Sequence, residues 1–172
     1  MNYPTIWPQF FTATIHNWNH LLKEDEYKDI IINCFKFLMD DKRAEVNAFV
    51  IMSNHIHIIW KPLQNYTLTQ IQASFMTFTA KVIKKKLQEH KPNVLETLKV
   101  NKYDRTYQIW KRESLSIELF TEKTFMQKLQ YIHQNPVKAG LINFAEEYKY
   151  SSAKFYLTGI DKFNFITHYS GN

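Results

Sequence analysis

One cysteine, three glycines and five prolines in 172 residues exclude several kinds of protein at once. The lone Cys34 rules out a disulfide framework and every cysteine-based zinc site. Glycine and proline this scarce leave no collagen-like, low-complexity or linker-rich stretch. No apolar run approaches the roughly 18–20 residues that span a bilayer. The opening Met1-Asn2-Tyr3-Pro4 has neither the basic flank nor the apolar stretch of a signal peptide. An intracellular, cytoplasmic chain is the expectation. A P-loop pattern is also missing, so nothing points to nucleotide hydrolysis. What remains, 45% hydrophobic and 22% charged positions, is the composition of a single ordered domain over residues 1–172.

The charge is unevenly spread. The formal net charge is +6, yet Lys81 to Arg112 alone carries ten basic residues against Glu89, Glu96 and Asp104. The rest of the chain holds 12 basic and 13 acidic residues, close to neutral. Tyr103, Tyr107 and Trp110 interleave with the cations of this segment. Lysines neutralise phosphates and release counterions, and aromatic faces stack on unpaired bases. Lys81, Lys84, Lys85, Lys102, Arg105, Lys111 and Arg112 are therefore candidate DNA contacts. A solvated helix end, its lysines complementing the macrodipole, explains Lys84 to Lys86 equally well but not Lys99 to Arg112.

Periodicity supplies the elements. Gln9 to Ile15 is β-branched and aromatic and reads as a first strand. Tyr27, Ile30, Ile31, Cys34, Phe35 and Leu38 recur at helical spacing behind acids at Glu24 to Glu26, predicting a helix that ends near Asp40-Asp41. Cys34 lies on its apolar face, as a core residue rather than a nucleophile. Strands are expected at Glu45–Met52 and His55–Lys61, a long helix at Thr67–His90, and a connection over Lys91–Asn101. A fourth strand is expected near Tyr107–Lys111, and a third helix from Thr121 to Gln134, stopped by Pro136. This order is a split βαβ arrangement. It predicts an α+β fold, a ferredoxin-like antiparallel sheet with helices on one face plus an extra C-terminal helix.

Two short segments can carry chemistry. In Asn54-His55-Ile56-His57 the period of two puts both histidines on one side of a strand, where two imidazoles can chelate one metal ion. Half-exposed strand histidines without a metal fit the same pattern. In Tyr131-Ile132-His133-Gln134-Asn135-Pro136 the tyrosine and asparagine are four apart, stacked on one helix face away from Phe125, Leu129 and Ile132. Asn135 could offer its amide oxygen to a metal that Tyr131 also reaches, or could simply end the helix before Pro136.

Together, Asn54-His55-Ile56-His57 and Tyr131 to Gly140 resemble the single-tyrosine HUH transposases, in the branch of REP-associated tyrosine transposases and their insertion-sequence relatives. The tail Glu147 to Tyr156, with its acidic, aromatic and Ser-Ser residues, is similar as well. The likeness runs from the first strand to about Gly159. It implies cleavage and rejoining of single-stranded or hairpin DNA by transesterification, with Tyr131 as nucleophile and a 5′-phosphotyrosine intermediate. It also implies a Mg²⁺ ion, replaceable by Mn²⁺, on His55, His57 and Asn135, a homodimer with the tyrosine helix in cis or in trans, and a nucleoid-associated location. The chain departs from the pattern twice. Asn135 stands where insertion-sequence relatives often have glutamine, and Glu113 to Leu119 lacks the further histidine common ahead of the tyrosine helix. Two other readings compete: a non-catalytic single-stranded DNA- or RNA-binding module of the same fold, and a metal-dependent phosphoesterase using activated water.

Overall fold

The structure is a computed structural model describing residues 7–63 and 65–171. In chain order it contains β1 (Gln9–Thr14), α1 (Asp25–Asp40), β2 (Ala44–Ile51), β3 (His55–Pro62), α2 (Leu68–His90) and α3 (Pro92–Glu96). Then follow β4 (Lys99–Lys102), β5 (Arg105–Tyr107), β6 (Leu115–Glu118), α4 (Glu122–Lys138) and α5 (Ala153–Thr158). Four strands form one antiparallel sheet in the order β2-β3-β1-β6. That is the ferredoxin-like order, with β3 inserted between β1 and β2, α1 connecting β1 to β2 and α2 lying in the connection from β3 to β6.

Side-chain alternation sorts the sheet into two faces. Phe11, Ala13 and Ile15 of the β1 segment and Ile56, Ile58 and Trp60 of β3 join the main core with Ile31, Phe35 and Leu38 of α1 and Ile71, Phe75 and Ile83 of α2. The α1 stripe foreseen from spacing is thus the buried one. On α2, spacing predicts a stripe of Leu68, Ile71, Phe75, Phe78 and Val82, but the buried line is Ile71, Phe75, Thr79, Ile83 and Leu87, and Phe78 is exposed. Cys34 lies in the same core, its thiol pushed up to about 12 by burial and so unreactive. Phe10, Ala48, Val50 and Ile59 face the other way, where Phe125, Leu129 and Ile132 of α4 pack on them. The extra helix therefore closes the second face of the sheet.

Two expectations need correction. The fourth strand of the sheet is β6, pairing Gln9 to Thr12 with Glu118 to Leu115, and not the segment Tyr107–Lys111. Tyr107 ends a small β4–β5 hairpin, and only Trp110 makes an isolated bridge, to Ile15. The aromatic Tyr107–Trp110 stretch has the stronger strand composition, but its side chains are used to plug the gap between α2 and the sheet, where the Trp110 indole donates to Thr79 Oγ1 at 2.9 Å. Second, α4 does not stop at Gln134. It runs through Pro136 to Lys138, with Ala139 N–H donating to Asn135 O at 3.1 Å and Leu141 N–H to Pro136 O at 3.0 Å. Pro136 is buried, so packing offsets the lost amide donor within one last turn. No helix among the described residues is long and apolar enough to cross a membrane.

The segment after α4 locks that helix to β2. Ser152 is fully buried; its hydroxyl accepts the Phe49 N–H at 3.0 Å and meets His133 Nε2 at 2.9 Å. Burial holds the His133 ring neutral, its pKa lowered to about 4. Tyr148 and Tyr156 hydroxyls donate to Ile51 O and Asn47 O at 2.8 and 2.9 Å. Ser152→Ala leaves a buried amide and a buried imidazole without their partner. The expected cost is about 1–3 kcal/mol, seen as a fall in Tm of roughly 2–10 °C in a thermal melt.

Candidate active site

Antiparallel pairing sets Thr12 opposite His57 and Thr14 opposite His55, so threonines and histidines share the sheet face that looks toward α4. The two imidazoles stand side by side, ring centroids 4.8 Å apart and inclined at 69°. Each has a hydrogen-bond partner at Nδ1. His55 Nδ1 is 2.7 Å from Asn54 Oδ1, and His57 Nδ1 is 2.7 Å from Thr12 Oγ1. An amide oxygen only accepts, so the His55 proton sits on Nδ1 and Nε2 keeps its lone pair. His57 is only 5% exposed and stacks on Phe10 at 5.3 Å.

From above, α4 contributes Lys128, Tyr131 and Asn135, which step by three and four along one helix face. All three line a cleft of about 510 Å³ together with Phe10, His55, His57 and Trp18. The Tyr131 ring stands edge-on to His57, centroids 5.2 Å apart, and is 41% exposed. Lys128 Nζ lies 4.6 Å from the Phe10 ring and 5.5 Å from that of Tyr131, with Lys138 Nζ at 5.9 Å from Tyr131. The α4 apolar stripe explains this presentation. Once Phe125, Leu129 and Ile132 are seated on the sheet, the neighbouring stripe can only overhang the histidines. Thr12 and Lys128 were missed in the sequence. Lys128 was findable there, since it continues the Tyr131–Asn135 spacing by one turn.

Electrostatics favour neutral imidazoles. Burial, then the neighbouring His55 and Lys128 charges, brings the His57 pKa down to about 3. Burial also lowers His55, partly opposed by the neighbouring Asn135 side chain. Among the described residues no group of three His, Cys, Asp or Glu side chains is poised to hold an ion. Two neutral nitrogens with engaged second nitrogens, beside one amide oxygen, nonetheless make a donor set that a divalent cation could use. The residues fit such an ion.

A family model described as "Transposase IS200 like" matches residues 11–135, a span holding His55, His57 and Tyr131 and closing on Asn135. The chain belongs to the IS200-like transposase family. No curated protein matches it. Among solved structures it is similar to a REP-associated tyrosine transposase bound to a REP hairpin, at 18% identity over 100% of this chain and 94% of that one, TM-score 0.67. It is also similar to a candidate transposase of Deinococcus radiodurans, at 14% identity over 77% of this chain and 92% of that one, TM-score 0.51. Both likenesses are of fold.

Lys81, Lys84, Arg105, Lys111 and Arg112 line one groove of about 600 Å³ between α2 and the segment that runs from Arg105 to Ser114. Lys85 lies outside it, 4.0 Å from Glu89, and Lys102 projects from the exposed β4–β5 hairpin. Asp104 pairs with Arg105 and stands 3.6 Å from Arg112, so both guanidiniums are partly neutralised. Among the described residues Lys81, Lys84, Lys102 and Lys111 form no ion pair. Tyr107 is committed within the fold: its hydroxyl donates to Glu96 and its ring lies 5.7 Å from Lys84 Nζ. In this IS200-like transposase, alanine at Lys81, Lys84 or Lys111 is expected to lower the salt slope of single-stranded DNA binding by up to about 0.7 each. Lys85→Ala should lower it less. Binding isotherms across salt concentrations measure this, and an unchanged slope in the triple variant would leave the groove a merely solvated surface.

Proposed function

We propose that the chain, acting as one domain over residues 1–172, cleaves and rejoins single-stranded DNA through a 5′-phosphotyrosine on Tyr131, as a transposase. The observation that carries this is the Tyr131 ring 5.2 Å from His57 of the same chain, in a cleft open to solvent. Tyr131 Oη attacks a backbone phosphorus; the bond formed is Tyr131 O–P, the bond broken is P–O3′, and a 3′-hydroxyl leaves. A phenol, titrating near pH 10, is a weak nucleophile without help. His55, His57 and Asn135 would hold a divalent cation, Mg²⁺ with Mn²⁺ as substitute. When bound, such an ion would supply Lewis-acid polarisation of the phosphate and offset developing negative charge. Asn54 and Thr12 fix the two imidazoles so that no reorganisation is needed on reaction. The Lys128 ammonium, in the same cleft, offsets charge on the phosphate oxygens. The ester keeps the bond energy, so rejoining by an incoming 3′-hydroxyl needs no nucleotide hydrolysis.

The similar solved transposase is bound to a REP hairpin; by extension the substrate here is DNA that is single-stranded or carries a hairpin. Such a substrate places the protein with the nucleoid in the cytoplasm. His55, His57, Tyr131 and Asn135 lie together in this one copy, and a homodimer, expected from the resemblance, would carry two such sites with the tyrosine helix in cis or in trans.

Incubating the chain with hairpin DNA bearing a single-stranded flank, in Mn²⁺, should yield a covalent adduct that mass spectrometry maps to the peptide holding Tyr131. A binding module would give no cleavage. A phosphoesterase would cleave without an adduct. Either result would displace the proposal.

A further inference from the structure

We propose that Trp18, Gln108 and Lys111 form a subsite for one unpaired nucleotide, seated between the histidine cleft and the basic groove. This rests on the single-stranded DNA reading above and assigns one position along the strand.

The first observation is continuity. Trp18 lines the cleft of His55 and His57, and it also walls a smaller depression of about 230 Å³ with Gln108, Lys111, Arg112 and Glu113. Gln108, Lys111 and Arg112 in turn line the basic groove. A strand leading from the groove to Tyr131 therefore crosses the indole.

The second is how the indole is held. Asn17 and Trp18 both have positive φ, 54° and 55°. Side chains with a β-carbon avoid that region, and a tryptophan gains nothing there from local hydrogen bonding. The turn is nevertheless anchored, with Trp18 N–H donating to Ile15 O at 3.0 Å and Asn19 Nδ2 to Thr97 Oγ1 at 2.9 Å. Its result is a large apolar ring left 59% exposed. Strain that holds an aromatic ring out of the core gives folding no advantage, which points to use in binding.

Polar groups around the ring match a nucleotide. Lys111 Nζ is 5.8 Å from the indole centroid and forms no ion pair among the described residues, so it is free for a phosphate. Arg112 is drawn toward Asp104, and Glu113 sits on the rim, leaving Lys111 as the dominant cation. Gln108 is 6% exposed, and its Oε1 has no hydrogen-bond partner among the described residues. Gln108 lines the same depression as Trp18, and a turn of its amide toward the indole would offer that acceptor to a base N–H. The occupant is a single-strand nucleotide, because a paired and stacked base presents no free face to the indole.

The test uses the full chain in chelator, so that no cleavage occurs, with single-stranded oligodeoxynucleotides carrying 2-aminopurine at successive positions. Trp18→Ala should weaken single-strand binding by about 5- to 100-fold, while Trp18→Phe, which keeps a stacking face, retains most of it. At one position 2-aminopurine emission should be quenched by the unaltered chain and recover in Trp18→Ala. A blunt hairpin without a flank should bind the unaltered chain and Trp18→Ala alike. Equal single-strand affinity and equal quenching in Trp18→Ala would overturn the subsite while leaving the proposed chemistry standing. Parallel loss of hairpin and single-strand binding would overturn it too, since the ring would then be serving the fold. If the unaltered chain binds no single-stranded DNA, the functional reading fails and the subsite with it.

Discussion

Tyr131→Phe is expected to reduce DNA cleavage by at least an order of 10⁴-fold and to abolish the covalent adduct, while folding and DNA binding persist. The change removes one oxygen and keeps the ring that stands against Phe10 and His57. Because Tyr131 is 41% exposed, its hydroxyl is not a buried group whose loss strands a partner. The change in stability should stay within about 0.5 kcal/mol. Denaturing gels and intact mass measure the adduct, and a thermal melt checks the fold. Full cleavage by the variant, or an adduct on Tyr103, Tyr107 or Tyr148, would transfer the chemistry elsewhere. Those residues are poor alternatives: the Tyr148 hydroxyl is spent on Ile51 O, and burial pushes its pKa up to about 12.

His57→Ala should have the second largest effect. It removes one of two adjacent imidazoles and leaves Thr12 Oγ1 and the stacked face of Phe10 without their neighbour. Metal-dependent cleavage is expected to fall by an order of 10³-fold or more, with affinity for single-stranded DNA largely kept because the basic groove is separate. A stability loss of about 1–3 kcal/mol accompanies it, from the void and the lost hydrogen bond. Asn135→Ala serves as the comparison. Its side chain is half-buried at the end of α4, so folding should suffer less and cleavage should reveal whether the amide belongs to the ion's ligands. Cleavage by His57→Ala at the unaltered rate, with the metal requirement intact, would remove the histidine pair from the mechanism.

Much of this site is written in local periodicity. A strand's repeat of two puts His55 and His57 on one side whatever the surrounding fold, and a helix's repeat near 3.6 aligns Lys128, Tyr131 and Asn135. The same rule marked the stripe of α1 that forms the core, and the first part of that of α2, Ile71 and Phe75. Such statements need only the chain's own backbone geometry, which is why they were legible without a structure. The split βαβ order followed from them, because few topologies accommodate that succession of elements.

Other features depend on partners remote in the chain. A strand is defined by hydrogen bonds to its neighbour, so the four residues of β6, weak in composition, became the fourth strand by pairing with β1, while the more strand-like Tyr107–Trp110 was taken up as packing. Pro136 reads as a helix stop in isolation, yet burial carries α4 beyond it. The Asn17–Trp18 turn has no local signature, since its positive φ values are held by contacts with Ile15 and Thr97. The sequence by itself determined which residues share a face: the histidine pair on one, the tyrosine and its neighbours on another. Only the tertiary structure decided that these two faces meet, because which side of the sheet α4 covers is set by Phe125, Leu129 and Ile132 finding Phe10, Ala48 and Ile59 across the chain.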